Sequence, residues 1–152
     1  VGFVDEDGEI RSHTKEELNA QYRSIPDLAH NFVLQAVFET QPASPQEMEQ
    51  RLEEARAKRK LTQPVGASAG CIFKNPEEIP AGRLIDELGL KNACVGDACV
   101  SDVHANFIIN RGHARARDIT ILIDMIRKEA MENRGIDLKS EAQVIGDREP
   151  QF

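Results

Sequence analysis

From residue 116 to about residue 133, apolar side chains recur at helical spacing: Ile119, Leu122, Ile123, Ile126 and Ala130. They fall on one side of a 3.6-residue repeat, which predicts an amphipathic helix. Asp118 near its start and Gly135 just past its end mark its limits. Such a stripe is core material, not a ligand groove, and it needs a partner surface. The neighbouring segments supply one. Residues 93–100 and 105–110 read as strands, and residues 81–88 as a short helix with Leu84, Ile85 and Leu88 on one side and Gly89 at a left-handed cap. Residues 136–138 lead into a last strand over 142–145. Residues 61–146 then make one compact unit, a small sheet covered by two helices, in the α+β class.

The chain has 152 residues, enough for one domain or one and a half. Hydrophobic residues at 40% and charged residues at 30% are those of an ordinary globular protein. A net charge of -7 argues against a binder of nucleic-acid backbones, though a few local cations suffice for a nucleotide sugar. No apolar run reaches the roughly 20 residues a membrane helix needs. Three cysteines without a CxxC pair imply neither a disulfide framework nor a zinc site, so a reducing cytoplasm is the expected compartment.

Ahead of the compact unit, residues 1–10 read as two short strands around Asp5-Glu6-Asp7-Gly8, a hairpin signal. A lone hairpin is marginal in water, so it is expected to belong to a larger sheet. Thr14 with Glu17 forms a capping-box pattern and predicts a helix ending near Tyr22 and Arg23. Residues 31–40 alternate, with Phe32, Leu34, Ala36 and Phe38 on one face, which predicts a strand with one buried face. Ser44, Pro45 and Glu47 then start a helix that runs to about Lys60. Its apolar stripe, Met48, Leu52 and Ala55, is narrow, as suits a helix bridging two domains. The basic run at its end complements the macrodipole.

Residues 61–80 form a long loop-rich segment, and such length usually serves function. It holds Ser68-Ala69-Gly70-Cys71-Ile72-Phe73-Lys74-Asn75-Pro76. Gly70 opens a backbone conformation closed to other residues, and Pro76 turns Asn75 away from helix. By residue type Cys71 reads first as a buried structural thiol, while its neighbours Lys74 and Asn75 leave a chemical role open. Cys94 and Cys99 read as small core or half-core residues. His104, at the start of an apolar strand, reads as a structural hydrogen-bonding group, and His113 as a solvated loop residue. Glu141, at the mouth of the last strand, reads as a solvated acid, and residues 147–152 as a frayed tail.

The word SAGCIFKNP resembles the SAGSxFKNP motif of the UDP-N-acetylenolpyruvoylglucosamine reductase family. Further pieces stand in that family's order: Tyr22-Arg23-Ser24, Gln63-Pro64, Ala81-Gly82-Arg83-Leu84-Ile85, Gly89-Leu90-Lys91, Val100-Ser101, His104-Ala105-Asn106-Phe107-Ile108-Ile109-Asn110 and Glu141-Ala142-Gln143-Val144-Ile145-Gly146. The resemblance implies reduction of UDP-N-acetylglucosamine enolpyruvate by NADPH through a bound FAD, in peptidoglycan synthesis. It implies that flavin delivers hydride to the enolpyruvyl group and that the resulting enolate takes a proton from the residue at the fourth place of SAGS. It also implies Arg23 as the cation beside that enolate, Glu141 as the group that positions or shuttles the proton, and Asn75 as a substrate contact with Lys74 beside it. The fold it implies places residues 61–147 as the substrate-binding domain and residues 1–43 as the last strands of an FAD-binding domain, with 44–60 bridging and 148–152 as a tail.

Two departures follow. Cys71 stands where the family has Ser; a thiol, with an unperturbed pKa of about 8.5, is the stronger acid and suits the same donation. Ala67 stands where a proline is usual. The glycine-rich FAD loops of the family have no counterpart in the sequence, so the chain is expected to be a fragment, binding FAD poorly and turning over little by itself. The missing FAD-binding region is then its expected partner. The alternative is a nucleotide-sugar-binding module without redox activity.

Overall fold

The computed structural model describes residues 1–145. Two compact units divide the chain, Val1–Pro45 and the part from Gln46 onward. In the first, three short strands form an antiparallel sheet in the order β2-β1-β3: β1 (Gly2–Val4), β2 (Ile10–Ser12) and β3 (Phe32–Gln35). The hairpin expected around Asp5 and Gly8 is present. Asp5 closes its turn, its carboxylate accepting the N–H groups of Asp7 and Glu9 at 3.1 and 2.9 Å.

Two expectations for this unit fail. Residues 14–22 form turns and no helix, although the Glu17 carboxylate accepts the Thr14 N–H at 2.8 Å as a capping box requires. One capping bond does not stabilise a helix without an apolar face to pack, and Leu18 is the only buried side chain in that stretch. The strand expected over 31–40 shortens to the four residues of β3, and both its faces are exposed. An alternating strand buries a face only against a second layer, and β3 meets none within this unit.

α1 (Pro45–Thr62) starts at the expected Ser44-Pro45 boundary and exposes every residue, Met48 and Leu52 included. Beyond it lie β4 (Ala67–Cys71), α2 (Ala81–Glu87), β5 (Cys94–Val95), β6 (Ala98–Val100), β7 (Phe107–Asn110) and α3 (Ala116–Arg134). The strands form one antiparallel sheet in the order β4-β7-β6-β5. The predicted stripe of α3 is its core face. Leu122, Ile123, Ile126 and Ala130 are buried with Leu84 and Ile85 of α2 and with Ala98, Val100 and Ile108 of the sheet. Asp118 accepts the Arg115 N–H at 2.9 Å to cap the helix start, and Gly135 ends it at φ 67°. The architecture is the α+β arrangement of a small sheet and helices.

Four local expectations for this unit are corrected. The run 93–100 is not one strand: it folds back at Gly96-Asp97 into the β5–β6 hairpin, with Cys94 directly opposite Cys99. Those two cysteines are joined in a disulfide, not held as separate core thiols. Residues 61–80 are less loop-like than expected, since they hold β4. Residues 142–145 form no strand; the chain after the buried Leu138 instead lies along residues 72–74. Gly146 and the expected tail fall outside the described residues.

Candidate functional site

Cys71 ends β4 at a kink in the ladder. Ala67 pairs with Asn110, Ser68 with Ile109 and Cys71 with Phe107, so three steps along β4 match two along β7. The extra residue is a β-bulge, a device that ends pairing and re-aims a side chain. Gly70 supplies it with φ +82°, as the sharp turn expected beside Cys71 requires.

Past the bulge the strand is held from elsewhere. The Asn106 C=O accepts the Ile72 N–H at 2.9 Å. The Asn106 side chain accepts the Phe73 N–H at 2.9 Å and donates to the Phe73 C=O at 2.8 Å. The Ile72 C=O accepts the N–H of Glu141 at 2.7 Å and of Ala142 at 3.3 Å, and the Lys139 C=O accepts the Lys74 N–H at 2.9 Å. Glu141 is thereby fastened to Ile72, the residue next to Cys71, from 69 positions away in sequence (141 − 72).

Cys71 and Asn75 open on one cavity of about 330 Å³, whose walls include Arg83, Asp86 and Lys91 of the α2 region and His104. Arg83 Nε lies 2.8 Å from Glu87 and Lys91 Nζ 2.7 Å from Asp86, so each cation carries its own counter-charge. Asn75 Oδ1 accepts the Ala81 N–H at 3.0 Å, satisfying a donor at the start of α2. His104 has the structural role expected of it: Nδ1 accepts the Asn106 N–H at 3.2 Å and the ring meets Phe107 edge-on at 5.0 Å. α2 approaches that ring closely because Gly82 has no side chain; a Cβ there would stand 2.7 Å from His104 Cε1. His113 is exposed, as expected.

Of the residues singled out from sequence, Cys71 and Asn75 share the cavity wall and Glu141 is tied to the backbone beside Cys71. Lys74 joins this strand through its N–H and is not on the cavity wall. Arg23 belongs to the first unit, where Tyr22 and Arg23 form the two-residue turn between Gln21 and Ser24. Its φ is +58°, a left-handed conformation unusual for a long side chain, and its guanidinium lies 5.7 Å from the centre of the Tyr22 ring. Strained residues of this kind cluster at functional sites.

Arg83, Asp86 and Lys91 reached the cavity wall without having been given a role from sequence. The signal was there: Arg83 and Asp86 are three apart on a helix that shows Leu84 and Ile85 to the core, so they share its other side. The part of Asn106 had no such signal, because its bonds span 33 residues. Outside the cavity, Asp137 is held below the ordinary carboxylate range by the Lys139 ammonium first, with Arg127 adding to it. Among the described residues no group of His, Cys, Asp and Glu is arranged to hold a metal ion, and no helix is long and apolar enough to cross a membrane.

Residues 61–145 match the family described as UDP-N-acetylenolpyruvoylglucosamine reductase, C-terminal domain. A protein of Syntrophobacter fumaroxidans named UDP-N-acetylenolpyruvoylglucosamine reductase is 42% identical over 132 residues, which are 86% of this chain and 38% of that one. The protein of the same name from Heliobacterium modesticaldum is 39% identical over 150 residues, 97% of this chain and 48% of its own. The crystal structure of UDP-N-acetylenolpyruvylglucosamine reductase from Thermus caldophilus superposes with a TM-score of 0.78 at 38% identity, covering 93% of this chain and 51% of that one. The chain spans about half the length of the curated relatives it matches, or less.

Proposed function

The chain belongs to the UDP-N-acetylenolpyruvoylglucosamine reductase family, and from that premise we propose that it carries the proton-donating, substrate-holding part of an oxidoreductase that forms UDP-N-acetylmuramate in cytoplasmic peptidoglycan synthesis. The substrate of this reading is UDP-N-acetylglucosamine enolpyruvate. Cys71 gives the proton that completes reduction of the enolpyruvyl double bond. Glu141 positions or resupplies that proton, and Arg23 neutralises the negative charge that develops on the substrate. Asn75 and Lys74 contact the nucleotide sugar.

One observation supports the reading: the Glu141 N–H donates to the Ile72 C=O at 2.7 Å, which ties the backbone of an acidic residue to the neighbour of Cys71, the thiol that opens on a cavity. A general acid needs a partner that restores its proton, and in this reading Glu141, from a remote part of the chain, is that partner. A thiol meets the demand made of the family's serine, with a lower intrinsic pKa of about 8.5.

FAD and NADPH would supply hydride to such a reaction. The described residues do not fit a dinucleotide by themselves. Among them, the glycines with positive φ lie in two hairpin turns, past the ends of helices, just before β4 and at its bulge, and none opens a helix as a phosphate-cradling loop does. The steps assigned to this chain are therefore those of binding, charge neutralisation and proton transfer.

The reading takes the chain as part of a longer protein, and the test is turnover in that full-length protein. Cys71→Ser should retain activity and Cys71→Ala should lose about 10²–10⁴-fold, the usual contribution of one acid group. Near-normal turnover by Cys71→Ala would remove the thiol from the mechanism. If Cys71→Ala binds the nucleotide sugar as wild type does, and neither form turns over, the chain is a binding module.

A further inference from the structure

We infer that Asn106 is a positioning residue for the pair Cys71 and Glu141, an inference that rests on the proton-donor reading of Cys71. Past the bulge, residues 72 and 73 present two N–H and two C=O groups, and β7 begins only at Phe107, opposite Cys71. The strand ladder has no further residue to offer them. Asn106 takes three: its C=O accepts the Ile72 N–H at 2.9 Å, and its carboxamide binds the Phe73 N–H at 2.9 Å and the Phe73 C=O at 2.8 Å. The fourth, the Ile72 C=O, holds Glu141 at 2.7 Å.

A carboxamide suits this place for a specific reason. It offers one acceptor and one donor in a plane, the complement of an extended residue's N–H and C=O. Asn106 thus extends the sheet by one residue with its side chain. The bonds are dry: Asn106 is 1% exposed and Phe73 is 1% exposed. An apolar residue of the same size would leave both Phe73 groups buried and unpaired, and the strand would have to move to satisfy them. Cys71 precedes that strand and Glu141 hangs from it, so a shift there separates the proton donor from its partner without touching either. The main-chain bond of Asn106 would survive any substitution; what distinguishes asparagine is the pair of side-chain bonds.

The experiment combines kinetics of the full-length protein with amide exchange in the present chain, which requires no cofactor. Asn106→Leu should lower kcat about 10²-fold, the effect of an ångström-scale misplacement, while KM stays within about threefold. In the chain, exchange at the amides of Phe73, Glu141 and Ala142 should speed up about tenfold or more, with the amides of α3 unchanged. Ile126→Ala serves as the control for stability lost at a distance, and it should leave kcat within about threefold. Should Asn106→Leu fail to fold, Asn106→Asp keeps an acceptor for the Phe73 N–H, loses the donor to its C=O, and carries the same test.

Normal kcat in a folded Asn106 variant would overturn the inference. So would an equal loss in Ile126→Ala of matched stability, since that marks a structural role only. Unchanged exchange at Glu141 and Ala142 would overturn it as well. Near-wild-type turnover by Cys71→Ala would instead sink the proton-donor reading, and this inference with it. Strict dependence on Cys71 with an indifferent Asn106 would sink the inference alone.

Discussion

Two glycines beside the cavity are required for opposite reasons, and the difference is testable. Gly70 has open space where a Cβ would point, but φ +82°. Ala there meets no clash and must hold a left-handed backbone, at a cost of about 1–2 kcal/mol. At Gly82 the backbone conformation is ordinary, but a Cβ would stand 2.7 Å from the His104 ring. Ala there displaces the ring or α2, and overpacking of this kind typically costs about 1–3 kcal/mol. Urea unfolding should therefore show comparable losses for Gly70→Ala and Gly82→Ala. Only Gly82→Ala should shift the His104 imidazole resonances, while Gly70→Ala should change the rate at which iodoacetamide alkylates Cys71. The need for Gly70 was legible in sequence, because a Cys between Gly and a later Pro already demands a turn. The need for Gly82 was not, because its partner lies 22 residues away (104 − 82).

At the scale of elements, what was legible depended on how local the cause is. The span of α3 follows from its own periodicity, with Asp118 and Gly135 at its ends, and it was read within a residue. The helix expected after Thr14 and the buried strand expected at 31–40 failed because each needs a surface that the pattern cannot supply. The run 93–100 failed otherwise: Gly96-Asp97 is a two-residue turn signal, but apolar neighbours on both sides made the segment look continuous. Cys94 and Cys99 stand symmetrically about that turn, directly opposed, with Cα atoms 4.1 Å apart. This clip closes the edge of the sheet where β5 has only two residues. Chain-entropy reasoning for so short a loop gives about 2 kcal/mol. Replacing both cysteines with serine should lower the free energy of unfolding by about that amount, and reductant should lower the wild-type denaturation midpoint similarly while leaving the double variant unmoved. A wild-type midpoint indifferent to reductant would show that the two sulfurs are not bonded in solution.

For the whole molecule, the question is which parts of a reductase this chain can supply. The second unit has its own core, in which Leu122, Ile126 and Leu138 are fully buried, and on it the Cys71 cavity is built. The first unit has a three-stranded sheet with Phe32 of β3, and Val37 and Phe38 just after it, about four-fifths exposed, so these apolar side chains are not covered within the unit. Hydride transfer needs a flavin held by its phosphates, and no glycine loop of the described residues opens a helix toward such a group. Proton donation needs an acid with a partner, and both members of the proposed pair, Cys71 and Glu141, belong to the second unit. The two halves of the chemistry should therefore separate. Mixed with FAD, NADPH and UDP-N-acetylglucosamine enolpyruvate, the present chain should oxidise NADPH no faster than the same mixture without it. Titration calorimetry with the nucleotide sugar should still detect heat of binding, abolished in the chain whose Asn75 is replaced by alanine. Rapid oxidation by this chain alone would mean that its residues hold flavin in a way the positions of its glycines do not suggest. Absent binding together with absent turnover would mean that the cavity beside Cys71 is not sufficient to hold the nucleotide sugar, and that residues outside this chain do so.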